Sequence, residues 1–132
     1  MDNILILGSL PKTEVETELY NVIIKVAKEF ATTVKSPIDT AQFNGTEQER
    51  YERAFRTVKE ADLVIGEQSQ PSTGQGMEIR ECATLNKPLI VVAKEGSKVS
   101  GLVKGCPITK EIIYYQDNDE LKSKLRSAIM QL

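Results

Sequence analysis

Glu78, Ser72, Gly74 and Gly76 stand close together in the segment QPSTGQGME, residues 70–78. A short apolar run, Leu63 to Ile65, precedes them, and a helical pattern follows. Strand, glycine-bearing turn and helix start make an anion or nucleotide site, because free backbone N–H groups and the helix dipole converge there. A carboxylate in the first helical turn is expected to be held ionised by that dipole. Glu78 would then be available as a nucleophile or a base. A second small turn, Gly8-Ser9-Leu10, ends the first apolar run and offers backbone N–H groups and a hydroxyl. Neither turn is a GxGxxG or GxxxxGK[ST] motif, so the dinucleotide fingerprint and the P-loop are both absent.

The chain has no histidine. Ser-His-Asp and Cys-His catalysis and His-bound metal sites are therefore excluded, and carboxylates must carry any acid–base or nucleophilic chemistry. Cys82 and Cys106 are not in a CxxC pair and read as reduced thiols. No metal ligand set and no organic cofactor are expected. The net charge is −2, with 27% charged residues of both signs interspersed. That balance argues against a nucleic-acid polymer or a membrane surface as partner. No apolar run approaches a membrane span and no signal peptide opens the chain, so the cytoplasm is the expected location.

These residues need elements to position them. Asn3–Leu7, Ala31–Lys35, Leu63–Ile65, Leu89–Ala93 and Ile112–Tyr115 read as strands. Helical patterns separate them, with capping boxes at Thr13–Glu16, Thr46–Glu49 and Ser72–Gln75. Residues 36–45 read as loop, and residues 95–107 as irregular with a short helical turn. Strands joined by helices imply parallel pairing with right-handed crossovers. The expected fold is one α/β domain over residues 1–132: a doubly wound, flavodoxin/Rossmann-like parallel sheet of order 2-1-3-4-5. Its switch point falls between strands 1 and 3, and the two polar turns meet there. Asp62 reads as a turn or capping residue. Glu67, at the strand end, either holds a ligand or points to solvent, and packing suffices to explain Tyr114 and Tyr115.

The residues AD-VI-E--QPS-G-G-E within 61–78, continuing to Leu85-Asn86-Lys87, resemble the nucleoside 2-deoxyribosyltransferase superfamily. The resemblance is nearest to its 2′-deoxynucleoside 5′-monophosphate N-glycosidases. ILGSL near the start and KVSGLVKG at 98–105 are similar to family segments as well. The resemblance implies that Glu78 attacks C1′ of the sugar, giving a glycosyl-enzyme that water or a second base opens. It implies Ser72 as a 5′-phosphate contact where base-exchanging transferases carry an Asp. It also implies Ser9 and Ser100 as further phosphate contacts, Ser100 coming from the neighbouring subunit of a homodimer. The implied substrate-binding set is Gly8, Ser9, Leu10, Ser72, Gly74, Ser100 and Leu102, around a small-molecule nucleotide.

The chain departs from the family pattern at three places. Ala54 stands where the family has an Asp near the leaving base. Pro11 and Lys12 stand in the stretch that holds an Arg, and Leu5 replaces a Tyr. Glu52 and Asp39 are the remaining candidates for a general acid. The expected activity is hydrolysis of the base–sugar bond of a nucleoside 5′-monophosphate. Base exchange and nucleotide binding with weakened catalysis are the alternatives.

Overall fold

The computed structural model describes residues 1–132. Five strands form one parallel sheet: β1 (Asn3–Leu7), β2 (Thr33–Lys35), β3 (Leu63–Glu67), β4 (Leu89–Lys94) and β5 (Thr109–Tyr115). Their order is β2-β1-β3-β4-β5. Helices α1 (Glu14–Ala27), α2 (Pro37–Gln42), α3 (Glu47–Glu60), α4 (Thr73–Thr84) and α5 (Gly101–Lys104) make the crossovers, and α6 (Asn118–Met130) follows β5. The expected order and parallel pairing are therefore observed. β3 is central, pairing Val64 with Leu5 on one side and with Leu89 on the other.

Alternation along the strands divides the core in two. Ile4, Ile6, Leu63, Ile65, Ile90 and Val92 pack with Ile23 and Val26 of α1 and Leu121 and Leu125 of α6. Leu5, Leu7, Val64, Leu89 and Val91 pack on the opposite face, with Val58 of α3, Ile79 and Cys82 of α4, and Val103 of α5. Cys82 is fully buried, and burial pushes its thiol up to about 12. Cys106 is half-buried, and both thiols are free.

The chain differs from its sequence reading mainly next to the site. The stretch expected to be loop, residues 36–45, contains α2. Pro37 occupies the first helical position, the Ser36 hydroxyl accepts from the Ile38 N–H at 3.2 Å, and the Asp39 carboxylate accepts from the Ser36 N–H at 2.8 Å. Strand β3 runs on through Gly66 to Glu67, β5 starts at Thr109, and β2 is only Thr33–Lys35. Of the three expected capping boxes only that of Thr46 and Glu49 closes in both directions. Thr13 and Ser72 cap with their hydroxyls alone. No helix is long and apolar enough to cross a membrane.

Candidate active site

Glu78 lies in the second turn of α4, not the first. Ser72 is the N-cap and Thr73 opens the helix, so the first turn contains no acid. The dipole falls off within that first turn, and burial dominates instead. The Glu78 carboxyl is pushed up to about 7 by desolvation, against a smaller downward pull from the Arg53 guanidinium. The expectation of a carboxylate held ionised by the helix terminus is thus corrected: near neutrality this group is half protonated.

Glu78 faces a cavity of about 80 Å³ on the α3/α4 side of the sheet, at the ends of β1 and β2. Leu5, Leu7 and Gly8 form its floor. Ser36, Pro37, Thr40 and Phe43, from α2 and its flanks, form one wall. Arg50, Arg53, Ala54 and Thr57 of α3 form another. The two guanidiniums sit over the Phe43 ring, 5.7 Å (Arg50) and 5.4 Å (Arg53) from its centroid. Arg50 donates to the Phe43 carbonyl at 3.0 Å, and Arg53 Nη1 donates to the Thr40 hydroxyl at 3.1 Å. Both arginines, Phe43 and Thr40 escaped the sequence reading. The signal was there in part, because S-P-x-D is a helix start that brings Thr40 and Phe43 toward α3.

Neither proposed substitute acid reaches this cavity. Asp39 is committed to the α2 cap, and exposed Glu52 accepts from Gln48 Nε2 at 3.2 Å. Ala54 does line the cavity, so the position read as that of the missing acid faces Glu78's pocket.

The other sequence-predicted residues fall around α4 and the neighbouring strand ends. Ser72, Ser100 and Leu102 line a groove of about 530 Å³ between α4 and α5. Ser72 is the N-cap, with extended backbone, and lines this groove, whereas Glu78 lines the cavity described above. Leu102 is 88% exposed there. Ser9 lines a third cavity, of about 160 Å³, with Glu67, Ser69 and Tyr115. Gly74 is exposed in the first turn of α4, and nothing lies within 4 Å of where its Cβ would be. Leu10 is 44% exposed.

Buried polar groups pin both turns of the switch point. The Tyr20 hydroxyl donates to the Ser9 carbonyl at 2.6 Å, and a Cβ at Gly8 would run into that hydroxyl. Glu67 is 3% exposed and does not point to solvent. Its carboxyl accepts from the Tyr115 hydroxyl at 2.7 Å and from the Ser69 N–H and hydroxyl. Burial raises the Glu67 carboxyl, partly offset by these donors. Tyr115 therefore has a polar role beyond packing. Gln68 Nε2 donates to Gln75 Oε1 at 2.6 Å, while Gln75 Nε2 is buried without a partner. Gly66 lies directly below, where a Cβ would sit 3.4 Å from Gln75 Oε1. No cluster of three or more His, Cys, Asp or Glu side chains is placed to hold a metal ion.

No family model matches the chain. A protein of Thermofilum pendens, provisionally named 2′-deoxynucleoside 5′-phosphate N-hydrolase 1, is 37% identical over 89 residues, 64% of this chain and 61% of its own length. A protein of Methanosarcina mazei with the same provisional name is 29% identical over 127 residues, 91% of this chain and 79% of that protein. The 5-hydroxymethyl-dUMP N-hydrolase of Mus musculus is 24% identical over 107 residues, 74% of this chain and 62% of that protein. The chain thus spans a little over three fifths of the first and third of these relatives. Among solved structures, BlsM superimposes with a TM-score of 0.74 at 17% identity, covering 98% of this chain and 90% of that one. A Clostridium botulinum CMP N-glycosidase, BcmB, gives 0.71 at 18% identity, covering 94% and 98%. A 2-deoxyribosyltransferase of Bacillus psychrosaccharolyticus gives 0.68 at 17%, covering 91% and 90%. These likenesses establish the deoxyribosyltransferase-like fold.

Proposed function

From the premise that the chain is a relative of the 2′-deoxynucleoside 5′-phosphate N-hydrolases with the deoxyribosyltransferase-like fold, we propose that it hydrolyses the base–sugar bond of a (2′-deoxy)nucleoside 5′-monophosphate. One observation carries this reading: a half-buried carboxyl, Glu78, faces a cavity at the carboxyl edge of β1 with guanidiniums on the far wall and no ion pair to either. The ionised Glu78 oxygen bonds to C1′ as the C1′–N bond breaks, and the electron pair leaves with the base. Water then attacks C1′, releasing Glu78 and the sugar phosphate, and its second proton reaches the base. The two displacements retain configuration.

Ser72 and Ser9 serve the 5′-phosphate in this reading, and a hydroxyl tolerates phosphate where a carboxylate would repel it. Gly8, Leu10 and Gly74 belong to the two turns that approach the sugar phosphate. Ser100 and Leu102 are supplied by a second copy of the chain, which would also cover Leu102 and Met77 (49% exposed). The two free thiols suit the cytoplasm. Ala54 favours a second reading, a nucleotide-binding protein with weakened chemistry.

Incubation with a panel of nucleoside monophosphates and their nucleosides, followed by chromatography for free base, tests the proposal. Release from the monophosphates and not the nucleosides is expected, and Glu78→Gln should abolish it. Equal turnover of both would overturn the phosphate assignment, and tight binding without release would favour the second reading. Mixing Glu78→Gln with Ser100→Ala protomers tests the shared site. Exchange across the interface leaves some sites intact and restores activity, whereas Ser100 acting within its own chain restores none.

A further inference from the structure

A departing base needs its charge neutralised, and beside Glu78 the cavity holds no second carboxyl and no imidazole to protonate it. Ala54 has no proton to give, Asp39 and Glu52 are engaged elsewhere, and the chain has no histidine. The charged side chains lining the cavity are Lys35 from β2, Arg50 and Arg53 from α3, and Glu78 from α4. Arg50 is exposed and tied to the Phe43 backbone, while Arg53 is half-buried and fixed by the Thr40 hydroxyl and the Phe43 ring. The field of Arg53 is felt at Glu78, yet the two make no ion pair within 4 Å. Anion and cation therefore face each other across a gap.

We propose that Arg53 takes the place of the general acid, donating hydrogen bonds to the departing base and stabilising the negative charge that develops on it as Glu78 attacks C1′. This rests on the N-glycosidase reading above. A guanidinium has five N–H donors, no acceptor, and does not give up its proton. The base consequently leaves as an anion, with the C1′–N electron pair spread onto ring nitrogen and carbonyl oxygen, and takes its proton afterwards from water. Such a site selects bases that form stable anions and present an acceptor beside the glycosidic nitrogen, namely carbonyl-bearing pyrimidines. Purines, which leave most readily once the ring is protonated, gain little.

The test uses uridine and 2′-deoxyuridine monophosphates carrying 5-fluoro, 5-bromo, hydrogen or 5-methyl substituents, which grade the acidity of the leaving base. In the wild type kcat should depend weakly on that acidity. Removing a fixed donor from a developing charge typically lowers kcat about 10²–10³-fold. Arg53→Met should show a loss of that size with the 5-methyl base and a much smaller one with the 5-fluoro base, and Arg53→Lys should recover part of it. The wild-type rate should also stay level at alkaline pH, where a carboxylic or imidazole acid would lose its proton. If Arg53→Met does not fold, Thr40→Val, which frees the guanidinium, takes its place in the series. A loss uniform across the substituents, or no loss, overturns the role of Arg53 while leaving the glycosidase reading intact. Base release that survives Glu78→Gln, or none from any substrate, overturns the glycosidase reading itself, and the role of Arg53 falls with it.

Discussion

The two faces of the sheet are built from the same strands and closed in different ways. On one face α1 and α6 bury four residues each, among them Ile23, Val26, Leu121 and Leu125, and seal the layer. On the other, α3 buries only Thr57 and Val58, and α4 only Gln75, Ile79 and Cys82. The remaining apolar side chains of this second face stay unspent: Tyr51 is 57% exposed and Met77 49%. The open face holds the cavity, the two arginines and Glu78. A functional pocket costs packing, and the helices over this layer bury fewer residues than α1 and α6 do.

The sharpest way to break this contrast is at Glu78. Glu78→Gln should lower base release by at least ~10³-fold, about 4 kcal/mol of transition-state stabilisation. It should at the same time be more stable than the wild type at pH 8. The folded-state value of about 7 lies above the ordinary 4.5. The wild type thus has its full stability from this group below about pH 4.5 and loses it as pH rises through 7, by roughly 3 kcal/mol. Urea titrations at pH 5 and pH 8 measure the difference, and equal stability of the two proteins at both would contradict the burial of this carboxyl. The same shift makes the wild-type rate rise with pH through about 7. An activity that instead climbs toward acid pH would mean that protonation of the base, not ionisation of Glu78, limits the reaction.

Truncation separates the faces next. Leu125→Ala on the sealed face should cost about 2–5 kcal/mol, against about 0.5 kcal/mol or less for Met77→Ala on the open one. Similar losses at both would show that the open face is covered by something in solution. A smaller effect is expected at the Gln68–Gln75 pair. Either single change to Leu strands a buried amide and should cost about 1–3 kcal/mol, whereas the double change should be nearly neutral. A double-mutant cycle with no coupling would show that the two amides do not depend on one another.

The sealed face was legible in the sequence and the open face was not, for a physical reason. Regular periodicity reports burial against one continuous layer, and Leu121, Leu125 and Ile129 or Ile23 and Val26 display it. The order of the sheet followed from the alternation of strands and helices, and the place of Ala54 at the candidate site from the resemblance. The wall of the cavity did not follow. Arg50 and Arg53 carried no signal, because no local pattern announces that Phe43 and Thr40 will fold back over them. The S-P-x-D start of α2 is a local signal, but a six-residue helix is too short to show a periodicity of its own. The Ser72 cap expected from the sequence already puts Glu78 in the second turn of α4, where desolvation and not the dipole governs its carboxyl. Glu67 was ambiguous because a carboxylate at a strand end is usually wet, and here Ser69 from the following turn and Tyr115 of β5 supply the donors for a buried one.

The two free cysteines give the open face its own clock. Cys106 lines the groove beside Ser100 and should be alkylated at a rate close to that of an accessible thiol. Cys82 is sealed beneath α4 and reacts only in molecules whose helix has lifted off the sheet. The ratio of the two labelling rates, followed by mass spectrometry under native conditions, reads the free energy of that local excursion without unfolding the rest of the chain. A nucleotide that bridges α3 and α4 would slow the labelling of Cys82 and leave a probe on the sealed face unmoved.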